Sequence, residues 1–270
     1  MRVASKTDRA LILRRFRYGE SSLVVHALTP RFGRIALLAK GAYRLRSGYF
    51  GVLDLFDTLE LTWRDSRTDL GTLAAARILC RRRGLSGDLD RYRAGISMLE
   101  LARLGAREKC EEARLFAHTE GALEGLQEAA VDPGMALIAF DLGWLALSGL
   151  APAFENCAAC GRSSLSSLRS PEAFFSHGGG GLLCSTCRTA SRSPGEQVVA
   201  LPWKVVQTAH TLATTPPEHL PRLRLCPQPV VEVGQLVARF LEYHLERRLR
   251  SRKGPDAPER RGSRGKLRLR

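Results

Sequence analysis

The chain has 270 residues, with 42 Lys or Arg against 27 Asp or Glu, so its formal net charge is +15. Hydrophobic residues make up 44% of it, which is enough for a packed core and excludes global disorder. No run of about 18 uncharged apolar residues occurs and the N-terminus lacks the apolar stretch of a secretory signal, so we expect a soluble, cytoplasmic protein without a membrane span.

Positive charge is concentrated at the two ends of the chain. Residues 1–83 carry a net charge of +10 and residues 247–270 carry +9, whereas residues 84–246 carry −4. Because basic surfaces attract phosphate groups, this distribution favours a nucleic-acid partner. The tail, residues 251–270, is rich in Arg, Gly, Pro and Ser. We expect it to be disordered, and to serve either as a solubilising extension or as an additional contact to phosphates.

Five short apolar runs in the basic head predict a small β-barrel. They alternate in polarity or are rich in β-compatible side chains, and turn residues such as Pro30 and Gly33 separate them. The fifth run is compatible with either a strand or a helix. The runs cover residues 7–17, 21–29, 34–39, 57–64 and 71–80. The pattern predicts a five-stranded OB-fold barrel over residues 1–83.

Helical periodicity begins after Gly84 and predicts a helical bundle, so that the chain as a whole is an α+β multidomain protein. Asp132 is placed to cap the third helix, and Pro133 fits its first position. That helix is apolar nearly all round, so we expect it at the centre of the bundle. The predicted helices cover residues 88–104, 110–130, 133–148, 202–214 and 230–250. They divide the bundle into residues 84–152 and 200–250, with residues 153–199 inserted between them.

Two C-x-x-C pairs in the inserted segment predict a metal site. Cys157 and Cys160 form the first pair and Cys184 and Cys187 the second, with 23 residues between the pairs. Together they supply the four thiolates that a tetrahedral Zn²⁺ accepts. Since four thiolates leave no position for water, we expect one Zn²⁺ that stabilises a ribbon-like module and takes no part in catalysis.

The sequence leaves two alternative functions open. His118 and Glu120 form an H-x-E pattern ahead of a C-x-x-C pair, as in zinc deaminases that act on nucleobases. No proline precedes Cys157 and the second cysteine pair has no place in that signature, so a zinc-dependent nucleobase-modifying enzyme has less support. A transcription or translation factor that binds nucleic acid through the zinc ribbon is disfavoured, because residues 157–188 carry only three arginines.

Cations and aromatic residues cluster around the third predicted strand. The cations are Arg31, Arg34, Lys40, Arg44 and Arg46, and Arg14, Arg15, Arg17 and Arg81 to Arg83 extend the set. The interleaved aromatic residues are Phe32, Tyr43, Tyr49 and Phe50. Cations neutralise phosphates and aromatic faces stack unpaired bases, so this head is the predicted DNA surface. The alternative is that the aromatic residues are core and the arginines are merely solvated, most of all for Phe32 and Phe50.

Four motifs in the same order resemble the RecO family of bacterial recombination mediators. They are S-x-x-V-x-A-L-T-P-R-F-G-R at residues 22–34, A-K-G-A-Y-R at 39–44, W-L-A-L-S-G-L-A-P at 144–152 and G-G-G-L-L-C-x-x-C at 179–187. The resemblance covers roughly residues 5–250, and the basic tail lies outside the family pattern. It implies the same order of parts: an OB-fold, then a helical bundle interrupted by a four-cysteine zinc module.

The resemblance implies a non-enzymatic DNA repair protein of the RecF pathway, located at the nucleoid. Family members bind single- and double-stranded DNA, anneal complementary strands, and help to load recombinase onto strands coated with single-strand-binding protein (SSB). They act with the protein RecR and bind the acidic, apolar C-terminal tail of SSB. The bundle would then hold an apolar pocket for that tail, with Arg103, Arg107 and Arg114 as candidate rim residues.

Overall fold

The structure, a computed structural model, describes most of the chain between residues 4 and 252. The residues that it does not describe are 1–3, 45, 50, 67, 164–171, 191–197 and 253–270. The expectation of a disordered tail, residues 251–270, therefore falls almost wholly outside the described residues.

Five strands form a closed barrel in the N-terminal part of the chain. They are β1 (Ser5–Tyr18), β2 (Ser22–Thr29), β3 (Gly33–Ala39), β4 (Thr58–Arg64) and β5 (Leu70–Cys80). Their order around the barrel is β1-β2-β3-β5-β4, with β3 and β5 parallel and all other neighbours antiparallel. The predicted five-stranded OB-type barrel is confirmed.

The barrel interior follows from the alternation of side chains along each strand. In β4, Leu59, Leu61 and Trp63 all point inward and are buried in the barrel core. The fifth apolar run, compatible with strand or helix by sequence, is a strand because β4 and, over a short stretch, β3 both pair with its backbone. On β1 and β2 the opposite faces carry Leu11 and Leu28, which belong to the core of the helical bundle. The barrel thus packs against the bundle through its outer surface.

In the described residues, the C-terminal part comprises seven α-helices, short 3-10 helices and a small sheet. The α-helices are α1 (Gly84–Gly87), α2 (Leu89–Gly105), α3 (Ala113–Gly125), α4 (Pro133–Leu147), α5 (Ser185–Ala190), α6 (Trp203–Thr214) and α7 (Pro227–Leu245). The Met135 N–H donates to Asp132 Oδ1 at 2.8 Å, so the predicted cap is present. α4 contacts α2, α3, α6 and α7, as expected for the central helix. No helix in the described part of the chain is long and apolar enough to span a bilayer.

The last long helix differs at both ends from the predicted segment 230–250. α7 begins at Pro227, because proline is tolerated in the first turn, where the backbone N–H has no partner within the helix. It ends at Leu245, where Glu246 takes a left-handed conformation with φ of 51°. The proline-rich segment before residue 230 therefore belongs partly to the helix.

The inserted segment contributes a three-stranded antiparallel sheet, in the order β7 (Gly181–Leu183), β6 (Glu172–Ser176) and β8 (Val198–Pro202). One face of this sheet packs on the helices, since Ala173, Phe175 and Leu182 lie in the core of the bundle. The other side carries the cysteines, and Cys157, Leu183 and Cys184 form a separate small cluster. The sheet therefore joins the predicted metal ligands to the bundle.

The barrel meets the loop between α2 and α3 at Gly33. The Arg34 N–H donates to the Arg107 carbonyl at 2.8 Å, and the Glu112 N–H donates to the Pro30 carbonyl at 2.8 Å. Gly33 has a φ of 63°, and a Cβ there would lie 2.3 Å from the Arg107 carbonyl oxygen. Only glycine combines this backbone conformation with so close an approach.

We expect Gly33→Ala to lower the free energy of unfolding by about 2–3 kcal/mol, since alanine would be strained at positive φ and would also push the α2–α3 loop away. Gly19 is the matched control: its φ is 61°, and a Cβ added there would meet nothing within 4 Å. Gly19→Ala should therefore cost only about 1 kcal/mol, from backbone strain alone. Denaturant titration of both variants measures the difference, and equal losses would contradict the close contact at Gly33.

Candidate functional site

The four predicted metal ligands lie together. The Sγ atoms of Cys157, Cys160, Cys184 and Cys187 are all within 4.8 Å of one another. Cys160 Sγ lies 3.8 Å from Cys184 Sγ. Sulfur atoms around a tetrahedral Zn²⁺, at about 2.3 Å each from the metal, lie about 3.8 Å apart. The cluster thus fits a single ion with four thiolate ligands.

Backbone hydrogen bonds prepare this cluster for a cation. Burial opposes ionisation of Cys157, but N–H donors from Cys184, Cys160 and Ala159 outweigh it and lower the pKa of the thiol to about 6. Hydrogen bonds with Cys184 and Cys160 raise the pKa of Cys187 to about 12. Hydrogen bonding within the cluster thus favours the thiolate form of Cys157, and a bound metal ion would displace the protons that remain on the ligands.

The H-x-E residues that pointed to a zinc deaminase lie on α3, away from the cysteines. His118 Nε2 is 3.0 Å from the Phe140 carbonyl oxygen, and its ring stacks on that of Phe140. Glu120 accepts hydrogen bonds from Arg9 and from the Thr58 hydroxyl. Among the described residues, the four cysteines are the only cluster of three or more potential metal ligands. Contacts elsewhere in the fold therefore engage both side chains, and neither belongs to the cluster of potential metal ligands in the described residues.

Three of the predicted DNA-binding arginines have carboxylate partners within the protein. Arg31 pairs with Asp8 at 3.1 Å and Arg15 pairs with Asp54 at 3.1 Å. Arg34 is half-buried and pairs with Glu108 at 2.8 Å. It also donates from Nη1 to the Arg103 carbonyl at 3.0 Å. Arg34 therefore links the barrel to the bundle.

The other predicted cations are exposed and have no ion pair within the described ranges. They are Arg14, Lys40, Arg44 and Arg46. The guanidinium group of Arg17 has no ion pair with a carboxylate of the described residues either, and it lies 4.7 Å from the ring centroid of Tyr43. A cation without an internal partner retains its full charge for a ligand, so these side chains are the stronger candidates for contacts with phosphate.

Two of the aromatic residues singled out in the sequence are half-buried and pack against the core of the barrel. Phe32 packs edge-on against Trp63 with ring centroids 5.3 Å apart. The Tyr49 hydroxyl donates to the Leu73 carbonyl at 3.0 Å. Both rings therefore pack against the core while staying partly exposed, and Phe50 lies outside the described residues.

Two exposed aromatic residues were not singled out from the sequence. Phe16 and Tyr18 are 40% and 55% exposed, and Tyr43 is 48% exposed. The sequence pattern could have indicated their exposure. Arg14, Phe16 and Tyr18 alternate at the end of β1, beyond its last inward-facing apolar residues. Exposed aromatic faces beside cations are the combination that binds unpaired bases.

A hydrogen bond from the Tyr43 N–H to the Ser21 carbonyl, at 2.9 Å, fastens the loop after β3 to the turn between β1 and β2. The loop cations therefore lie beside the end of the β1–β2 hairpin. We name this region the hairpin-tip surface, and it comprises Arg14, Phe16, Arg17, Tyr18, Lys40, Tyr43, Arg44 and Arg46.

The proposed extension at Arg81 to Arg83 is partly internal. Arg82 is almost completely buried, donating to the Phe56 carbonyl and to the Thr58 hydroxyl at 2.8 and 2.9 Å. Arg81 lies 3.6 Å from the Asp57 carboxylate. These two arginines hold the end of β5 against the chain that precedes β4.

The candidate pocket-rim residues of the bundle lie apart from its apolar cavity. A cavity of about 190 Å³ between α3, α4 and α6 is lined by residues that include His118, Phe140 and Leu212. None of Arg103, Arg107 and Arg114 lines it. Arg107 pairs with Glu112 at 2.7 Å, and Arg103 lies where the barrel meets the bundle.

Comparison with known proteins finds one family over almost the whole chain. The family profile "Recombination protein O N terminal" matches residues 1–81, and "Recombination protein O C terminal" matches residues 86–253. The chain is 36% identical to a DNA repair protein RecO of Nocardioides sp. over 247 residues, covering 90% of this chain and 96% of the relative. A DNA repair protein RecO of Rhodopirellula baltica is 34% identical over 208 residues, covering 77% and 74%. One of Thermobifida fusca is 33% identical over 251 residues, covering 90% and 95%.

Proposed function

Since the chain belongs to the RecO family of DNA repair proteins, we propose that it is a non-enzymatic, DNA-binding recombination mediator of the RecF pathway. It binds single- and double-stranded DNA, anneals complementary strands, and assists recombinase loading on SSB-coated strands at the nucleoid in the cytoplasm. The observation that carries this proposal is the hairpin-tip surface, where unpaired cations lie beside exposed aromatic rings, Arg14 beside Phe16 and Arg17 beside Tyr43.

Annealing requires no bond-making chemistry by the protein. Two DNA strands repel each other through their phosphates, and a shared cationic surface lowers that repulsion by neutralising both backbones. At the hairpin tip, Lys40, Arg44 and Arg46 supply charge, while Phe16 and Tyr18 offer faces on which unpaired bases stack. Bases held by stacking keep their hydrogen-bonding edges available, so a second strand can pair with them.

The metal in this proposal is one structural Zn²⁺, held by Cys157, Cys160, Cys184 and Cys187. When bound, it supplies a rigid tetrahedral link between the two C-x-x-C turns. The link holds β6 and β7 in the position from which Phe175 and Leu182 reach the core of the bundle. Its contribution is to stability and not to catalysis.

Two protein partners are part of the proposal, the SSB tail and RecR. The SSB tail is acidic and apolar, and the cavity between α3, α4 and α6 has an apolar lining that includes Phe140, Leu212 and Leu220. An apolar side chain at the end of that tail would fill such a cavity. RecR is proposed from family membership, and no described surface is assigned to it.

Annealing of complementary oligonucleotides, bare and SSB-coated, over a salt series tests the proposed function. We expect the protein to accelerate annealing of both kinds of strand, with an effect that falls steeply as salt rises because phosphate contacts release counterions. Base composition of the DNA is measured after the reaction. Annealing no faster than the spontaneous rate, or deaminated bases in the product, would contradict the proposal.

A further inference from the structure

Three arginines without an internal partner meet where the barrel joins the bundle. Arg14 lies on β1, Arg103 lies in the last turn of α2, and Arg247 follows α7. None of them forms an ion pair within the described ranges, and the half-buried Arg103 side chain donates no hydrogen bond there. A guanidinium group with five N–H donors, partly removed from water and unmatched by protein acceptors, is unusual.

Contacts between the barrel, α2 and the segment after α7 place the three arginines in one region. The side chain of Arg34 reaches from β3 to the Arg103 carbonyl, so the end of α2 lies on the outer face of β2 and β3. On that face His26 is the β2 partner of Arg14. The segment after α7 returns to α2, where the N–H groups of Arg250 and Ser251 donate to the Glu100 carboxylate at 3.0 and 2.7 Å.

The arginines are close enough to repel one another. Burial lowers the pKa of Arg103, and repulsion from Arg14, Arg34 and Arg247 lowers it further. The neighbouring His26 is affected in the same way: burial lowers its pKa, repulsion from Arg34, Arg103 and Arg14 lowers it further, and Glu108 opposes the shift.

Two acids of the described residues offset part of this repulsion, and one of them, Glu108, already pairs with Arg34 at 2.8 Å. Glu100 is the acid that favours the charged form of Arg103, and its carboxylate already accepts two backbone hydrogen bonds. Crowded like charges destabilise a fold unless an anion from outside lies among them. The cluster therefore has the chemistry of an anion-binding surface, whose positive charge is balanced only when an anionic ligand is bound.

The cluster continues the hairpin-tip surface without interruption. Arg14 belongs to both, and its guanidinium group lies 5.6 Å from the ring centroid of the exposed Phe16. The Phe16 ring in turn lies 5.8 Å from that of His26. Cations and aromatic rings thus follow one another from the tip of the hairpin to the end of α2.

We propose that single-stranded DNA bound at the hairpin tip continues past Arg14 onto the helical bundle, where Arg103 and Arg247 bind its sugar-phosphate backbone. This inference rests on the proposed DNA-binding function and extends it to a surface shared by two domains. A single strand is the ligand because Phe16 and Tyr18 offer faces to unpaired bases, which a duplex does not expose. The bound length of DNA then exceeds what the barrel alone contacts.

Binding of a short and a long oligothymidylate, of about 8 and about 25 nucleotides, tests the extension, since a single OB-fold binds about 4–16 nucleotides. We expect Arg103→Gln with Arg247→Gln to weaken binding of the long strand roughly tenfold at about 0.1 M salt. The slope of log affinity against log salt should fall by about 1.4, or about 0.7 for each lost contact. Binding of the short strand should change by less than about twofold. Fluorescence anisotropy over a salt series measures all of these quantities.

The matched control is Arg93→Gln with Arg222→Gln, which removes the same charge from exposed positions on α2 and on the 3-10 helix Pro217–Arg222. An equal loss in this control, or unchanged binding of the long strand by the test variant, would overturn the extension. If hairpin-tip variants still lose DNA binding in that case, the proposed DNA-binding function is retained and only the extension is wrong. A wild-type protein that binds neither strand would contradict both the proposed function and the extension. Should the double variant fail to fold, Arg247→Gln alone must reduce the salt slope by about 0.7 for the extension to hold.

Discussion

Replacing Lys40, Arg44 and Arg46 together by glutamine is expected to lower the affinity for single-stranded DNA roughly tenfold to a hundredfold at about 0.1 M salt. These three side chains are exposed and have no carboxylate partner in the described residues, so each loses a full contact with phosphate. The slope of log affinity against log salt should fall by about 2, since single strands lose about 0.7 per contact. Annealing should slow in parallel, and stopped-flow annealing together with anisotropy titration measures both effects.

The matched control for this prediction removes three cations that already have partners. Arg77 pairs with Glu60 at 3.1 Å, Arg93 lies 3.9 Å from Asp90, and Lys109 pairs with Asp69 at 3.0 Å. Replacing these three residues by glutamine lowers the net charge by the same three units as the hairpin-tip variant. It removes only cations that are already paired, and it leaves their three carboxylate partners without a cation. We expect only a small loss of affinity. Equal losses in the two triple variants would mean that overall charge, and not the hairpin-tip surface, governs binding.

Loss of the metal is expected to have the largest effect on stability. Structural Zn²⁺ contributes about 10–16 kcal/mol of apparent binding free energy in zinc-finger peptides, and part of that becomes folding free energy here. Cys160→Ser should therefore lower Tm by about 10 °C or more, and chelation of the wild type should do the same. Elemental analysis should find one zinc ion in the wild type and none in the variant, and calorimetry gives the change in Tm.

Cys226→Ser is the control for this experiment, because Cys226 is exposed and lies outside the cluster. It should leave both metal content and Tm unchanged. DNA affinity per folded molecule of Cys160→Ser should stay within about twofold of the wild type, since the hairpin-tip surface lies on the barrel. A variant that keeps its Tm but loses DNA binding would assign the cysteines to the DNA interface and contradict a structural role.

The packing of the small sheet explains why the metal should affect the whole bundle. The ring of Phe175 on β6 lies 5.9 Å from that of Phe154 and 5.8 Å from that of Phe240 on α7. These aromatic rings join the module to the last helix of the bundle. Disorder of the C-x-x-C turns would therefore expose apolar surface in the bundle core as well as in the module.

Local patterns in the sequence were sufficient to predict most of the helices and strands. Period-two alternation in β4 and the all-round apolar surface of α4 each depend on neighbouring residues alone, so both could be predicted. The four-cysteine cluster could be predicted for the same reason, because each C-x-x-C turn is a local pattern. Only the approach of the two turns to each other depends on remote contacts. The start of α7 was missed because Pro227 and Pro229 are as compatible with a loop as with a first helical turn.

The sequence by itself thus determined the barrel, the bundle and the four-cysteine cluster, since these follow from the order and spacing of residue types. Only the tertiary structure decided which cations are free. Arg34 pairs with Glu108, which is 74 residues away along the chain, whereas Lys40 has no partner in the described residues, and nothing in the sequence distinguishes the two. The physical reason is that a charge is available to a ligand only when no opposite charge is folded against it. That pairing depends on contacts between remote segments.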